Sequence, residues 1–187
     1  MEKAFGRPIL TQEEILKRIK ELGNQITADF DGKNPVMIGV LKGAFPFYAD
    51  LVRNIRLLLR VDFLVVSNRP VKDKSKGGTV KFLSDLSEDI SGKDVVLVED
   101  IISTGMTVSY VKKKLLAKKP KSLRVCTLLD KPERRKVRVS VDYVGFTIPN
   151  KYVVGYGLDY QNRYRNLPYI AVMDQVSEAE ELFYWQE

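Results

Sequence analysis

Val95-Val96-Leu97-Val98-Glu99-Asp100-Ile101-Ile102-Ser103-Thr104-Gly105-Met106-Thr107 is the stretch that decides the fold of this chain of 187 residues. Its four leading apolar residues, three of them β-branched, read as a buried strand. Two carboxylates stand where that strand should end, and a Thr/Gly turn then opens a helical pattern. In an open α/β sheet, ligands bind at the carboxyl ends of strands, and a turn feeding a helix N-terminus presents free N–H groups to an anion. Acidic residues beside such a cradle fit a sugar phosphate whose hydroxyls need acceptors, together with a divalent metal.

The flanking segments repeat the pattern. Downstream, Val108, Val111, Leu115 and Leu116 give the helix one apolar face before Pro120 stops it, while Lys112, Lys113, Lys114, Lys118 and Lys119 read as a solvated face. Upstream, Thr11 and Glu14 form a capping-box signature, and Ile15, Leu16, Ile19, Leu22 and Ile26 predict an amphipathic helix over 12–29. Val36 to Val40 is a short buried strand ending at Leu41-Lys42-Gly43, with a helix expected over 44–56. A lysine and a glycine at that junction would suit a second anion site. Residues 61–67 form the next strand, 68–79 a polar, basic, glycine-ended loop, and 80–83 its returning strand. Leu123 to Leu129 is a further buried strand ending at Asp130-Lys131-Pro132, and 141–148, 152–154 and 169–173 complete the candidates. Strands alternating with helices up to Pro120 predict an α/β protein with a mostly parallel twisted sheet flanked by helices, the later strands forming an appended part.

Composition narrows the chemistry. The formal charge of +7 admits anionic partners, although a lysine-rich surface accounts for it equally well. The absence of histidine excludes a Ser-His-Asp triad, a Cys-His pair and histidine metal sites, so any metal must be held by oxygen, which suits magnesium. Cys126, the single cysteine, reads as a core thiol. No run approaches the ~18 apolar residues of a membrane span, and the start shows no signal-peptide pattern, so a cytoplasmic protein without membrane or nucleic-acid partners is expected.

The residues carry a resemblance beyond spacing. Val98 to Thr107 resembles the phosphoribosyl-pyrophosphate signature of type I phosphoribosyltransferases. Gly39 to Ala44, Leu128 to Arg135, Val153 to Tyr160 and Tyr164 to Ile170 are similar to the hypoxanthine-guanine branch, in family order. The resemblance implies a type I phosphoribosyltransferase fold making one domain over 1–187, with a core of about 30–150 and a small hood from about 1–29 and 151–187. The implied activity is that of a glycosyltransferase of the pentosyl class. With Mg²⁺ it would convert hypoxanthine or guanine and 5-phosphoribosyl 1-pyrophosphate to IMP or GMP and diphosphate, in a homodimer or homotetramer.

Roles follow from the same resemblance. Ser103, Thr104, Gly105, Met106 and Thr107 would cradle the 5′-phosphate. Glu99 and Asp100 would meet the ribose hydroxyls or the metal shell, and Asp159 would sit beside the magnesium. Leu41, Lys42 and Gly43 would bind the diphosphate, in the family through a cis peptide, with Arg165 also holding it. Lys131 would donate to the purine 6-oxo group, Tyr152 would stack on the base, and the Val153 backbone would meet its Watson–Crick edge.

Two positions depart from the pattern. Ser103 stands where the family usually has an aspartate thought to take the proton from purine N7, and a serine hydroxyl is a poor general base without a partner. Ser67 is followed by Asn68, so the Ser-Tyr pair of the family's loop is missing. Adenine and orotate phosphoribosyltransferases resemble this turn with small or neutral residues at the serine position, so the phosphate cradle itself should survive. The expectation is therefore a purine-salvage enzyme with turnover lowered by Ser103. The alternative is a weakened paralogue that binds purine nucleotides as a regulator or RNA-binding protein.

Overall fold

The computed structural model describes residues 5–69 and 79–173. A six-stranded sheet forms the centre. Its strands are β2 (Val36–Leu41), β3 (Arg60–Arg69), β4 (Thr79–Ser84), β5 (Asp94–Ile102), β6 (Ser122–Asp130) and β7 (Tyr143–Thr147), in the spatial order β4-β3-β2-β5-β6-β7. All neighbours are parallel except β4, which returns antiparallel to β3. A second, antiparallel sheet in the order β1-β9-β8 joins β1 (Phe5–Leu10), β9 (Ile170–Met173) and β8 (Val153–Val154).

β5 shows why this sheet is buried on both sides. Val95 and Leu97 pack with Val36, Ile38 and Val125 against Val108, Val111 and Leu115 of α3 (Met106–Ala117). The alternate residues, Val96 and Val98, join Cys126 and Leu128 beneath α1 (Gln12–Asp29) and α2 (Phe45–Arg53). Side chains of a strand point alternately to its two faces, so a near-continuous apolar run is what a strand between two helical layers requires. Cys126 is wholly buried there, and burial pushes its thiol pKa far up.

The N-terminus of α1 carries the expected reciprocal cap. The Thr11 N–H donates to Glu14 Oε2 at 2.8 Å and the Glu14 N–H to Thr11 Oγ1 at 3.3 Å. The apolar face of α1 packs on α2 and β7, and Arg18 donates to the carbonyls of Val144 and Gly145 at 2.8 and 2.9 Å. Within 5–29, β1 enters the small sheet and α1 lies on the main one. Differences from the sequence expectation are local. α2 ends at Arg53, where the Asn54 N–H turns back to Leu51. Asn68, Arg69 and Thr79, assigned to a loop from sequence, extend β3 and β4, while 70–78 lie outside the described residues. β7 adds to the main sheet in parallel rather than to an appended part, because its register with β6 continues the parallel ladder from Cys126↔Tyr143 to Asp130↔Thr147. Among the described residues, no helix is long and apolar enough to cross a membrane.

Candidate functional site

The carboxyl ends of β2, β5 and β6 lie side by side, and the turns leaving them build one polar edge. After β5, Ser103 and Thr104 lead to Gly105, whose φ of 81° is left-handed and opens α3. A β-carbon at Gly105 would stand 2.6 Å from the Val137 carbonyl, so only glycine fits that turn. Thr104 is 8% exposed, and neither its N–H nor that of Gly105 meets an acceptor among the described residues. In the first turn of α3 the Met106 N–H reaches Thr104 Oγ1 at 3.4 Å. Buried N–H groups seldom go unpaired, and a set of them at a helix N-terminus is an anion site.

At the end of β5, Asp100 meets the turn after β2: a β-carbon on Gly43 would lie 1.6 Å from Asp100 Oδ2. Glu99 beside it is 5% exposed. Burial raises the Glu99 pKa well above the carboxylate range, with the Asp100 charge adding to it. The Asp100 pKa is raised to about 6, chiefly by burial; the Ile101 N–H and the Arg165 charge oppose the rise, and the Asp159 charge reinforces it.

A strained turn closes the site beside Gly43. Tyr156, Gln161, Asn162 and Tyr164 all have positive φ, between 50° and 72°, and such residues cluster where a backbone is held for function. Gly157, at φ 99°, lies directly on the Gly43 carbonyl, with room for no β-carbon. Arg165 locks this turn, donating to the Gly157 carbonyl at 2.7 Å and pairing with Asp159 Oδ1 at 2.6 Å. The Leu41–Lys42 peptide bond is cis, and Lys42 is exposed at the same edge.

Lys131 links the β5 turn to the small sheet. Its N–H donates to Ile102 O at 2.9 Å, and its buried ammonium donates to Lys151 O at 2.6 Å. Burial, with the Arg134 charge, lowers its pKa to about 8. Tyr152 donates its hydroxyl to Asp159 O at 2.8 Å and meets Tyr160 edge-on at 6.0 Å. The Tyr152 carbonyl accepts from Met173 of β9, so the backbone groups of Val153, one residue on, face the open edge of β8.

The structure thus gathers Gly43, Asp100, Asp159 and Arg165 at one point, with Thr104 to Thr107 on the neighbouring turn and Lys131, Tyr152 and Val153 along the hood side. Among the described residues no three acidic, cysteine or histidine side chains are grouped to hold a metal ion by themselves. Ser103 reaches the site, but its hydroxyl has no hydrogen-bond partner among the described residues. The residue that sequence reasoning missed is Arg135. It donates to Ser103 O at 2.6 Å and forms an ion pair with Asp130, both side chains largely buried. It sits inside the quoted block 128–135, where nothing local marks its task.

The phosphoribosyl transferase domain family matches residues 8–161. The hypoxanthine-guanine phosphoribosyltransferase of Lactococcus lactis is 45% identical over 92% of this chain and 93% of its own. A crystal structure of a Bacillus anthracis hypoxanthine-guanine phosphoribosyltransferase, with a HEPES molecule in its active site, is 45% identical and superposes with a TM-score of 0.85 over 90% of this chain and 98% of that one. The bifunctional protein TilS/HprT of Listeria innocua is 45% identical over 92% of this chain, which spans 26% of that relative's length. A glycine turn with outward N–H groups after β5, the family match over residues 8–161 and near full-length relatives converge on one conclusion: the chain belongs to the phosphoribosyl transferase domain family, among the hypoxanthine-guanine phosphoribosyltransferases.

Proposed function

We propose that this chain is a purine-salvage enzyme that transfers the 5-phosphoribosyl group of 5-phosphoribosyl 1-pyrophosphate to hypoxanthine or guanine, releasing diphosphate and IMP or GMP. The observation that carries the reading is the meeting of Gly43, Asp100, Gly157 and Arg165 beside the unpaired N–H groups of Thr104 and Gly105. One anion site there suits a 5′-phosphate, the other a diphosphate, and Asp100 lies between them to accept from ribose hydroxyls.

The residues act by placement. The backbone of 104–107 holds the 5′-phosphate, Leu41 to Gly43 and Arg165 take the diphosphate, and Tyr152 and the Val153 backbone fix the purine. Lys131 offers its ammonium to the 6-oxo group, which adenine lacks. Bond cleavage at the anomeric carbon passes through an oxocarbenium-like state, and the neighbouring carboxylates stabilise its positive charge. Asp100 and Asp159 repel one another, and among the described residues no third acidic, cysteine or histidine side chain joins them. That donor set fits Mg²⁺, which is held by one or two carboxylates plus substrate phosphates and would neutralise the leaving diphosphate. Ser103 holds no proton acceptor in reserve, so removal of the purine proton limits turnover. The chain acts as one domain with β1, β8 and β9 as its hood, in the cytoplasm and as a homodimer or homotetramer.

A steady-state assay with Mg²⁺ and 5-phosphoribosyl 1-pyrophosphate against hypoxanthine, guanine, xanthine and adenine tests this. Nucleotide should form from the 6-oxopurines and not from adenine. Tight GMP binding without product from any base would overturn the enzyme and favour the nucleotide-binding regulator.

A further inference from the structure

The turn that carries the unpaired N–H groups is fastened from behind. The Ser103 carbonyl accepts from Arg135 Nη1 at 2.6 Å, and the Thr104 carbonyl accepts from the N–H groups of both Lys136 and Val137, at 2.9 and 3.1 Å. Gly105 rests on the same segment, since a β-carbon there would lie 3.0 Å from Arg135 Cδ and 2.6 Å from Val137 O. In a trans peptide the C=O and the following N–H point in opposite directions. Neither peptide in 103–105 is cis. Anchoring the Ser103 and Thr104 carbonyls to residues 135–137 therefore turns the N–H groups of Thr104 and Gly105 outward, to the side where they lack acceptors.

We infer that Arg135 is a positioning residue for the 5′-phosphate cradle: held by Asp130, it fixes the Ser103–Thr104 peptide so that its N–H faces the ligand. The inference rests on reading 103–107 as that cradle. Two features make Arg135 suited to the task. Its ion pair with Asp130 at the end of β6 is largely shielded from solvent, so the guanidinium is oriented before any ligand arrives. Its fork supplies one N–H to the carboxylate and another to the carbonyl, which a single ammonium cannot do with the same geometry. Donors fixed before binding do not have to be reorganised when the charge arrives, and this is where a rigid cradle gains over a loose one. A peptide free to rotate would present its carbonyl to the phosphate in part of its population, a repulsive contact in place of an attractive one.

The test uses the full chain and compares the parent with Arg135→Ala, Arg135→Lys and Asp130→Asn. GMP binding is measured by calorimetry, and KM for 5-phosphoribosyl 1-pyrophosphate and for hypoxanthine by steady-state assay. Arg135→Ala should weaken GMP binding and raise KM for 5-phosphoribosyl 1-pyrophosphate at least about tenfold, with KM for hypoxanthine changed less than about threefold. Arg135→Lys, which restores the charge but not the fork, should fall between parent and alanine variant. Asp130→Asn keeps the bond to Ser103 and should cost least. Should Arg135→Ala not fold, the order parent, Asp130→Asn, Arg135→Lys carries the same test. A parent that binds GMP beside variants of equal GMP affinity would overturn the role of Arg135 alone, as would an equal loss in both KM values. A parent that binds neither GMP nor 5-phosphoribosyl 1-pyrophosphate would overturn the reading of the site and the inference with it.

Discussion

Gly43 and Asp100 sit in contact across the ends of adjacent strands, with 1.6 Å between Asp100 Oδ2 and the place a β-carbon on residue 43 would occupy. The side on which Asp100 can approach the substrate is thus set by the absence of a side chain at 43. Gly43→Ala should displace the Asp100 carboxylate and lower kcat/KM by about 100-fold, since misplacement of about 1 Å at a reacting centre costs that much. The fold should persist, so unchanged thermal unfolding with lost turnover is the expected pair of results. Full activity in the alanine variant would mean that Asp100 does not touch the substrate.

Ser103 offers the sharpest test of rate. Among the described residues its hydroxyl has no hydrogen-bond partner, at the position where the family resemblance expects an aspartate. Supplying the carboxylate with Ser103→Asp should raise kcat with hypoxanthine at least about tenfold, within the range ascribed to general bases. A variant no faster than the parent would show that proton removal does not limit this enzyme.

Asp100 links stability to pH in a direction unusual for a carboxylate. Its pKa is raised to about 6 in the folded chain, against 3.8 for the free side chain. The folded state then binds more protons than the unfolded one between those values. Stability from this group is full below about pH 4 and is lost as pH rises through about 6. Asp100→Asn removes the charge that is costly to bury. It should gain roughly 1–3 kcal/mol at pH 7.5 and flatten the pH dependence, while losing turnover. Urea unfolding of parent and variant at pH 5 and pH 7.5 is the measurement; equal slopes with pH would contradict it.

Lys131 titrates in the opposite sense. Burial lowers its pKa to about 8, from 10.5. The ammonium is disfavoured in the fold, so stability rises as pH climbs from about 8 to about 10.5. The charged hydrogen bond proposed to a 6-oxo group should fade as pH passes about 8. KM for hypoxanthine should therefore increase from pH 7 to pH 9.5 in the parent. Lys131→Ala should raise KM at least about tenfold at pH 7 and leave little pH dependence, since removing one donor strands the base oxygen. A parent profile flat through pH 8 would detach Lys131 from base recognition.

Elements with a local rule were legible in the sequence. The Thr11–Glu14 cap, the doubly buried run 95–98 and the Gly105 turn each follow from residues within a few positions of one another. β1 escaped because Phe5 to Leu10 acquires strand form only by pairing with β9, as in Phe5↔Met173, and carries no alternation of its own. The task of Arg135 is illegible in the sequence, because its partner Ser103 lies 32 residues earlier and no spacing rule joins them.

The bonds from Lys136 and Val137 to the Thr104 carbonyl have a consequence for the signature itself. Those thirteen letters are not a portable module. A fragment ending after α3 would keep every residue of the phosphate turn and lose the backing that aims its amides. The turn is therefore a composite of two chain segments, one carrying the amides and the other setting their direction.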